Sequence, residues 1–402
     1  EDASVYDAAG NRCIDCTSAI FLANVGHSNP RVLAAIRDAT ERPLLSCYAY
    51  ANEIRITYQE RLVAWAGPPF EKSYLVSSGS EATEAAFKMM RMDGARRGKR
   101  RLGLLCLEGN FHGRTIGSQM MSGSAAGREW IGHMDPDIHH LPFPYPWDLE
   151  GREPASFLEE GLLRLTDRGI DPMNDLCGVM LETFQGWGAV FYPDGYVQAV
   201  EAFCREAGVV LAFDEMQAGF GRTGRDFGFQ HYGVTPDLVC CGKGMSSGLP
   251  LSGVLGRADL VDVAPEGSMS STHSANPLAC AASLAVLDEM VDRDLSAESA
   301  RKGEILHGGL AEVREANPER VSMVLGRGLV AAVLIRDPET GLPDGPFASR
   351  VAERSMHKGL LVVHTGRESI KIGPPLTIED GAVVEAVEVL GEAIAEIAEE
   401  EQ

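Results

Sequence analysis

Val209-Val-Leu-Ala-Phe-Asp214-Glu215-Met-Gln217 opens as an apolar run and ends on a pair of acids. The glycine-rich turn Gly219-Phe-Gly221-Arg222-Thr223-Gly224 follows, and then a second apolar run, 238–241, that ends on Gly242-Lys243-Gly244. Apolar runs bounded by glycine and polar residues fit strands buried on both faces of a parallel sheet. The spacing between Asp214 and Lys243 leaves room for one return crossover and a strand. Similar runs stand at 73–76, 103–107 and 178–181, separated by amphipathic helical patterns at 81–91, 155–166 and 195–206. This alternation predicts an α/β fold, a mostly parallel sheet sandwiched by helices.

Outward from that unit, residues 140–154 carry Pro142, Pro144, Pro146 and Pro154 with Tyr145 and Trp147, and read as a structured loop. After Leu278 the character changes. A long helix opens with Asn276 as N-cap and Pro277 at its first position. Strand patterns follow near 330–335 and 370–373. A last helix opens on the capping box Thr377-Ile-Glu-Asp380 and runs into an acidic tail at 399–402. The expected division is an N-terminal segment, 1–30, packing with the small domain; a large domain, 31–279; and a smaller α+β C-terminal domain, 280–402.

The chain has 402 residues, well beyond a single domain of roughly 100–200. Its 45% hydrophobic and 23% charged residues are those of a globular protein. A net charge of −22 excludes a basic nucleic-acid footprint. No apolar run of about 18 residues suggests a membrane span. The chain opens at Glu1, so a few N-terminal residues are expected to be missing. Nine cysteines are scattered without a zinc pattern, and Cys13-Ile-Asp-Cys16 falls in a stretch, 7–20, that reads as strand. Core thiols in a reducing cytoplasm are the expectation. His133, His139 and His140 lack ligand spacing and read as loop residues, so no metal is expected.

Ser77-Ser78-Gly79-Ser80-Glu81 follows a strand and opens a helix, so free backbone N–H groups and the positive end of the dipole are available to a phosphate. Competing nucleotide motifs fail. Gly242-Lys243 is followed by Gly244, where a P-loop needs Ser or Thr, and Gly326-Arg-Gly328 lacks a third glycine. A strand-end acid sits where open α/β sheets bind ligands. With a strand-end lysine and a phosphate cradle it points to pyridoxal phosphate: lysine as Schiff base, acid on the pyridinium nitrogen, helix N-terminus on the phosphate.

The whole chain resembles the class III (subgroup II, fold type I) pyridoxal-phosphate aminotransferases, the ornithine and 4-aminobutyrate group. The resemblance runs through Asn24-Val-Gly26-His27-Ser-Asn-Pro30, Ser78–Glu81, Asn110-Phe111-His112-Gly113-Arg114-Thr115, Glu182-Thr-Phe-Gln185-Gly186, Asp214–Gly224, Lys243, Thr272-His-Ser-Ala-Asn276-Pro277 and Ile372-Gly-Pro-Pro-Leu376. It implies Lys243 as the Schiff-base and proton-shuttling lysine, Asp214 on the ring nitrogen, Gln217 near the ring 3′-oxygen and Phe111 stacked on the ring. It places Ser78, Gly79 and Ser80 at the phosphate, His112 and Glu182 beside the cofactor, and Thr272 on the phosphate of the neighbouring subunit of a homodimer. Ile20, Tyr48 and Tyr50 fall at the substrate entrance.

Two positions depart from the family. Its Gln-Gly-Glu turn reads Gln185-Gly186-Trp187, and the arginine that grips the substrate carboxylate is Lys371. Lysine offers a point charge without the guanidinium fork. Trp187 offers a flat apolar wall. With the −22 charge, these changes suggest an amino sugar of the aminoglycoside antibiotic type as substrate, against an ordinary ω-amino acid. An epimerase or racemase on the same scaffold is the alternative reaction. A relic without chemistry is disfavoured by the presence of Lys243, Asp214, Gln217 and Thr272.

Overall fold

The computed structural model describes residues 2–42, 48, 50–149 and 151–401. A seven-stranded sheet takes the order Lys72–Val76, Ser252–Gly256, Leu238–Cys241, Val210–Asp214, Leu176–Glu182, Gly103–Leu107, Ile138–Leu141. The pairings are parallel except around Ser252–Gly256, which runs antiparallel to both neighbours. Strand residues alternate between two apolar layers. Leu105, Val179, Leu211, Phe213 and Val239 face one; Leu104, Met180, Val210, Ala212 and Leu238 face the other. Both faces are covered, which is why these strands read as unbroken apolar runs.

The parallel register decides where the chemistry lies. Glu182 pairs with Asp214 and Asp214 with Cys240, so strand-end residues collect along one carboxyl edge. Lys243 follows two residues beyond Cys241. The helix Gly79–Arg96 starts at the same edge. Ser78 caps it, with Glu81 reaching back to the Ser78 N–H.

A second core surrounds a four-stranded antiparallel sheet of Val321–Arg327, Val330–Ile335, Ser369–Ile372 and Val363–His364. Helices Leu295–Ala316, Gly345–His357 and Asp380–Glu400 cover it, and Ala3, Ile14, Cys16 and Val25 of the N-terminal segment join it. The helix Pro277–Asp292 contributes to both cores. Asn276 caps it as expected, accepting from the Ala279 N–H.

Three local expectations are corrected, and two strands are added. His139 and His140 lie in the edge strand Ile138–Leu141, held by parallel pairing to Gly103–Leu107; His133 is in a loop. Ser252–Gly256 and Val321–Arg327 are strands that no clear apolar run announced. Thr377 does not cap the last helix: its hydroxyl donates to Asp2, and the helix starts at Asp380 behind Glu379. In the stretch 7–20 only Arg12–Asp15 is strand, because Ser18–Phe21 turns into a left-handed coil, with φ between 46° and 65°. The eight described cysteines are free, and seven of them are buried; Cys47 lies outside the described residues.

Candidate active site

At the carboxyl edge of the large sheet a cavity of about 390 Å³ is lined by residues from five chain segments: Ser78–Ser80, 111–114, Glu182, Asp214 with Met216 and Gln217, and Lys243. The Asp214 carboxylate is buried. Its Oδ2 meets His112 Nδ1 at 2.9 Å, and its Oδ1 accepts the Met216 N–H at 3.1 Å. The ring of His112 is itself packed out of water, with Nε2 unpartnered among the described residues. The imidazole thus holds the carboxylate in one orientation, facing the cavity.

Glu182, beside Asp214 in the sheet, accepts the Phe111 N–H at 3.0 Å. Burial pushes its carboxyl up to about 7, with the Asp214 charge adding to the rise and His112 opposing it. Burial lowers the Lys243 ammonium, against the pull of Asp214 and Glu182. Lys243 stands at φ 47°, a left-handed conformation between two glycines. Phe111 is 43% exposed at the cavity, with the Arg114 guanidinium 5.5 Å from its ring centroid. At the helix N-terminus, capping engages the Ser77, Ser78 and Glu81 N–H groups. The Gly79 and Ser80 N–H groups make no hydrogen bond among the described residues and remain for an anion.

These parts match pyridoxal phosphate. A fixed carboxylate, a lysine withdrawn from water, an aromatic face and an anion cradle surround one cavity. Nine of the ten expected cofactor residues line it; Thr272 does not. It is exposed, away from this chain's own cavity.

A model of the class-III aminotransferases matches residues 1–394. The chain belongs to this family. It uses pyridoxal phosphate and has the fold type I architecture. It is 34% identical to a probable 4-aminobutyrate aminotransferase of Bacillus subtilis, over 97% of this chain and 90% of that one. It is 32% identical to 2-aminoadipate transaminase of Pseudomonas putida, over 98% and 94%. The solved taurine:2-oxoglutarate aminotransferase of Bifidobacterium kashiwanohense, in complex with pyridoxal phosphate and glutamate, superposes with a TM-score of 0.91 at 26% identity. That match covers 99% of this chain and 92% of that one.

The candidate substrate residues are less uniform. Ile20 lies exposed on the left-handed turn, and Tyr48 and Tyr50 are exposed at 47% and 79%. The Trp187 indole N–H donates to Gln185 Oε1 at 2.8 Å and, more weakly, to the Tyr145 hydroxyl. The Arg367 guanidinium covers one face of the indole at 3.7 Å. Lys371 is buried, and burial plus the Lys243 charge bring its ammonium down to about 7. Sequence reasoning missed Glu215, which turns to the other side of the strand end. It is fully buried and accepts the Gly228 and Phe229 N–H groups at 2.8 Å and the Thr183 hydroxyl. Its position directly after Asp214 in a period-2 strand was the available signal.

Proposed function

We propose that this aminotransferase moves the amino group of a primary amine to a carbonyl acceptor, with the residue roles that follow. The carrying observation is the convergence of Asp214 and Lys243 on one cavity that also receives the N-terminus of Gly79–Arg96. Bound pyridoxal phosphate supplies an aldehyde that takes up the amino group and a ring that draws electrons from the adjacent carbon. Lys243 is the covalent anchor and, once free, moves a proton at the amine-bearing carbon of the substrate. Asp214, oriented by His112 Nδ1, keeps the ring nitrogen protonated. Ser78, Gly79 and Ser80 hold the phosphate, Phe111 stacks on the ring, and Glu182 supports the Asp214 side. Gln217 reaches the 3′-oxygen. Thr272, exposed in one chain, serves the phosphate of a second chain in a homodimer. We read residues 31–279 as the cofactor-binding unit and 280–402, with 1–30, as the smaller one, in a cytoplasmic enzyme.

For the amine, an ω-amino acid has the most support. Similar proteins are named for 4-aminobutyrate and taurine, amines that end in an acid group. Arg114 at the cavity and Arg367 over Trp187 offer cations to such a group. An amino sugar is the second reading, favoured by Trp187 and the charge of −22. Arg367 on the indole leaves less of that wall for a sugar ring. Initial rates for 4-aminobutyrate, other ω-amino acids and amino sugars, each with a 2-oxo acid acceptor, decide the matter. Turnover of amino sugars alone overturns the ω-amino acid reading. Loss of substrate chirality without net amino transfer would favour an epimerase or racemase.

A further inference from the structure

Lys371 lies on the inner strand Ser369–Ile372 of the smaller sheet, beside Val330–Ile335, with 4% of its surface exposed. Its ammonium has three protons and no acceptor capacity. It donates to the Gly186 carbonyl and, at 2.8 Å, to Gln217 Oε1. On a third side it stands 4.7 Å from the centroid of the Phe21 ring, a cation–π contact. All three directions are used within the chain.

Gln217 lines the cofactor cavity. An amide presents a carbonyl on one side and an NH2 on the other, of nearly equal size. With Oε1 committed to a buried ammonium, only the NH2 is left as a cavity-facing donor. The backbone of Gly186 backs this arrangement. A Cβ on Gly186 would collide with Gln217 Nε2 and stand 3.0 Å from Glu182 Oε1. The turn therefore packs directly against the amide and leaves no room for a side chain.

We propose that Lys371 is a positioning residue: it locks the Gln217 amide with its NH2 toward the cofactor cavity, and it does not grip the substrate carboxylate. The inference rests on the reading that Gln217 meets the 3′-oxygen of the bound cofactor. A phenolate-like oxygen needs a donor there; a flipped amide would present its own oxygen and repel it. The tetrahedral spread of a carbonyl, an amide oxygen and a π face suits an ammonium, and a planar guanidinium would match it poorly. Lys371 is thus a substitution of role as well as of residue.

The test uses the full chain loaded with pyridoxal phosphate, with Lys371→Met, Gln217→Leu and their double variant. Two readouts are followed: the visible absorbance band of the bound cofactor, and kcat and KM for 4-aminobutyrate and for the carboxylate-free diamine putrescine. Expected for Lys371→Met are a shifted band and a fall in kcat/KM of about 10- to 100-fold, equal for the two amines. Gln217→Leu should reproduce both effects, and the double variant should be no worse than the more affected single. A rise in KM confined to 4-aminobutyrate, with an unchanged band, overturns the proposal in favour of carboxylate gripping. So does strict additivity in the double variant. If Lys371→Met is insoluble, Lys371→Gln, which keeps a neutral donor, must give the same changes in smaller measure, and an unchanged band refutes the proposal. A wild-type chain that shows no visible band at all contradicts the cofactor assignment itself, a separate failure.

Discussion

Replacing Gly373 by alanine places a methyl group against the edge of Phe21. An added Cβ would lie 2.6 Å from Phe21 Cδ1 and closer still to Cε1, where carbon contacts settle at about 3.5–4.0 Å. The ring would have to retreat by roughly 1–2 Å. It has nowhere to go: Phe21 is 1% exposed and packs in a cluster with Phe184, Ala189, Ala218, Val330, Ala332 and Leu334. Gly373 is pinned as well, since its N–H donates to the Cys16 carbonyl at 2.7 Å and its carbonyl accepts the Ser18 hydroxyl at 2.6 Å. Overpacking of this kind costs about 1–3 kcal/mol. The entropic gain from replacing glycine is about 0.4–1 kcal/mol, so destabilisation wins. The same ring lies under the Arg222 guanidinium and the Lys371 ammonium, so its displacement reaches the site. Guanidinium unfolding followed by tryptophan fluorescence should register the loss, measured on Gly373→Ala, Phe21→Leu and the double variant. Shortening the ring relieves the clash, so the double variant should be more stable than additivity allows by about 1–2 kcal/mol. Additivity within roughly 0.5 kcal/mol would show that Phe21 does not fill that space.

Glu215→Ala strands two backbone N–H groups and the Thr183 hydroxyl in a buried site, and should cost about 3–5 kcal/mol in the same unfolding measurement. A loss below about 1 kcal/mol would mean those donors find other partners. Glu182 titrates near 7 in the folded chain against an ordinary value of 4.5, so the folded state holds its proton longer than the unfolded one. That contribution is present in full below about pH 4.5 and is lost as pH rises through about 7. The cofactor-free wild type should therefore lose up to about 3 kcal/mol relative to Glu182→Gln between pH 4.5 and 8. A pH-independent difference between the two proteins rejects that titration. Asp214→Asn keeps an oxygen for its neighbours and removes the charge. The cofactor should stay bound while turnover falls at least about 100-fold, and wild-type turnover would remove Asp214 from the chemistry.

The large sheet was legible because burial on both faces writes unbroken apolar runs, such as 103–107 and 238–241. The strand Ser252–Gly256 was not, since Ser-Gly-Val-Leu-Gly gains its extended form from pairing with two neighbours. Likewise, edge pairing makes a strand of Ile138–Leu141 despite two histidines. The Asp214–Lys243 pair could be read because strand ends and glycines announce themselves locally. The left-handed turn at Ser18–Phe21 could not: none of its residues is glycine. Ser18 is tied by contacts distant in sequence, its hydroxyl to the Gly373 carbonyl and the Arg222 side chain to that hydroxyl. Lys371 was visible as a departure from the family, but what it bonds to belongs to the fold and not to the motif.

In the proposed chemistry Lys243, and not another buried lysine, carries the cofactor. Lys371 is a demanding control, since burial and the Lys243 charge bring its ammonium down to about 7. Borohydride reduction of the pyridoxal-phosphate-loaded protein, followed by peptide mass mapping, should place one reduced pyridoxyl group on Lys243. Label on Lys371, or no label on a protein that binds the cofactor, would contradict the account.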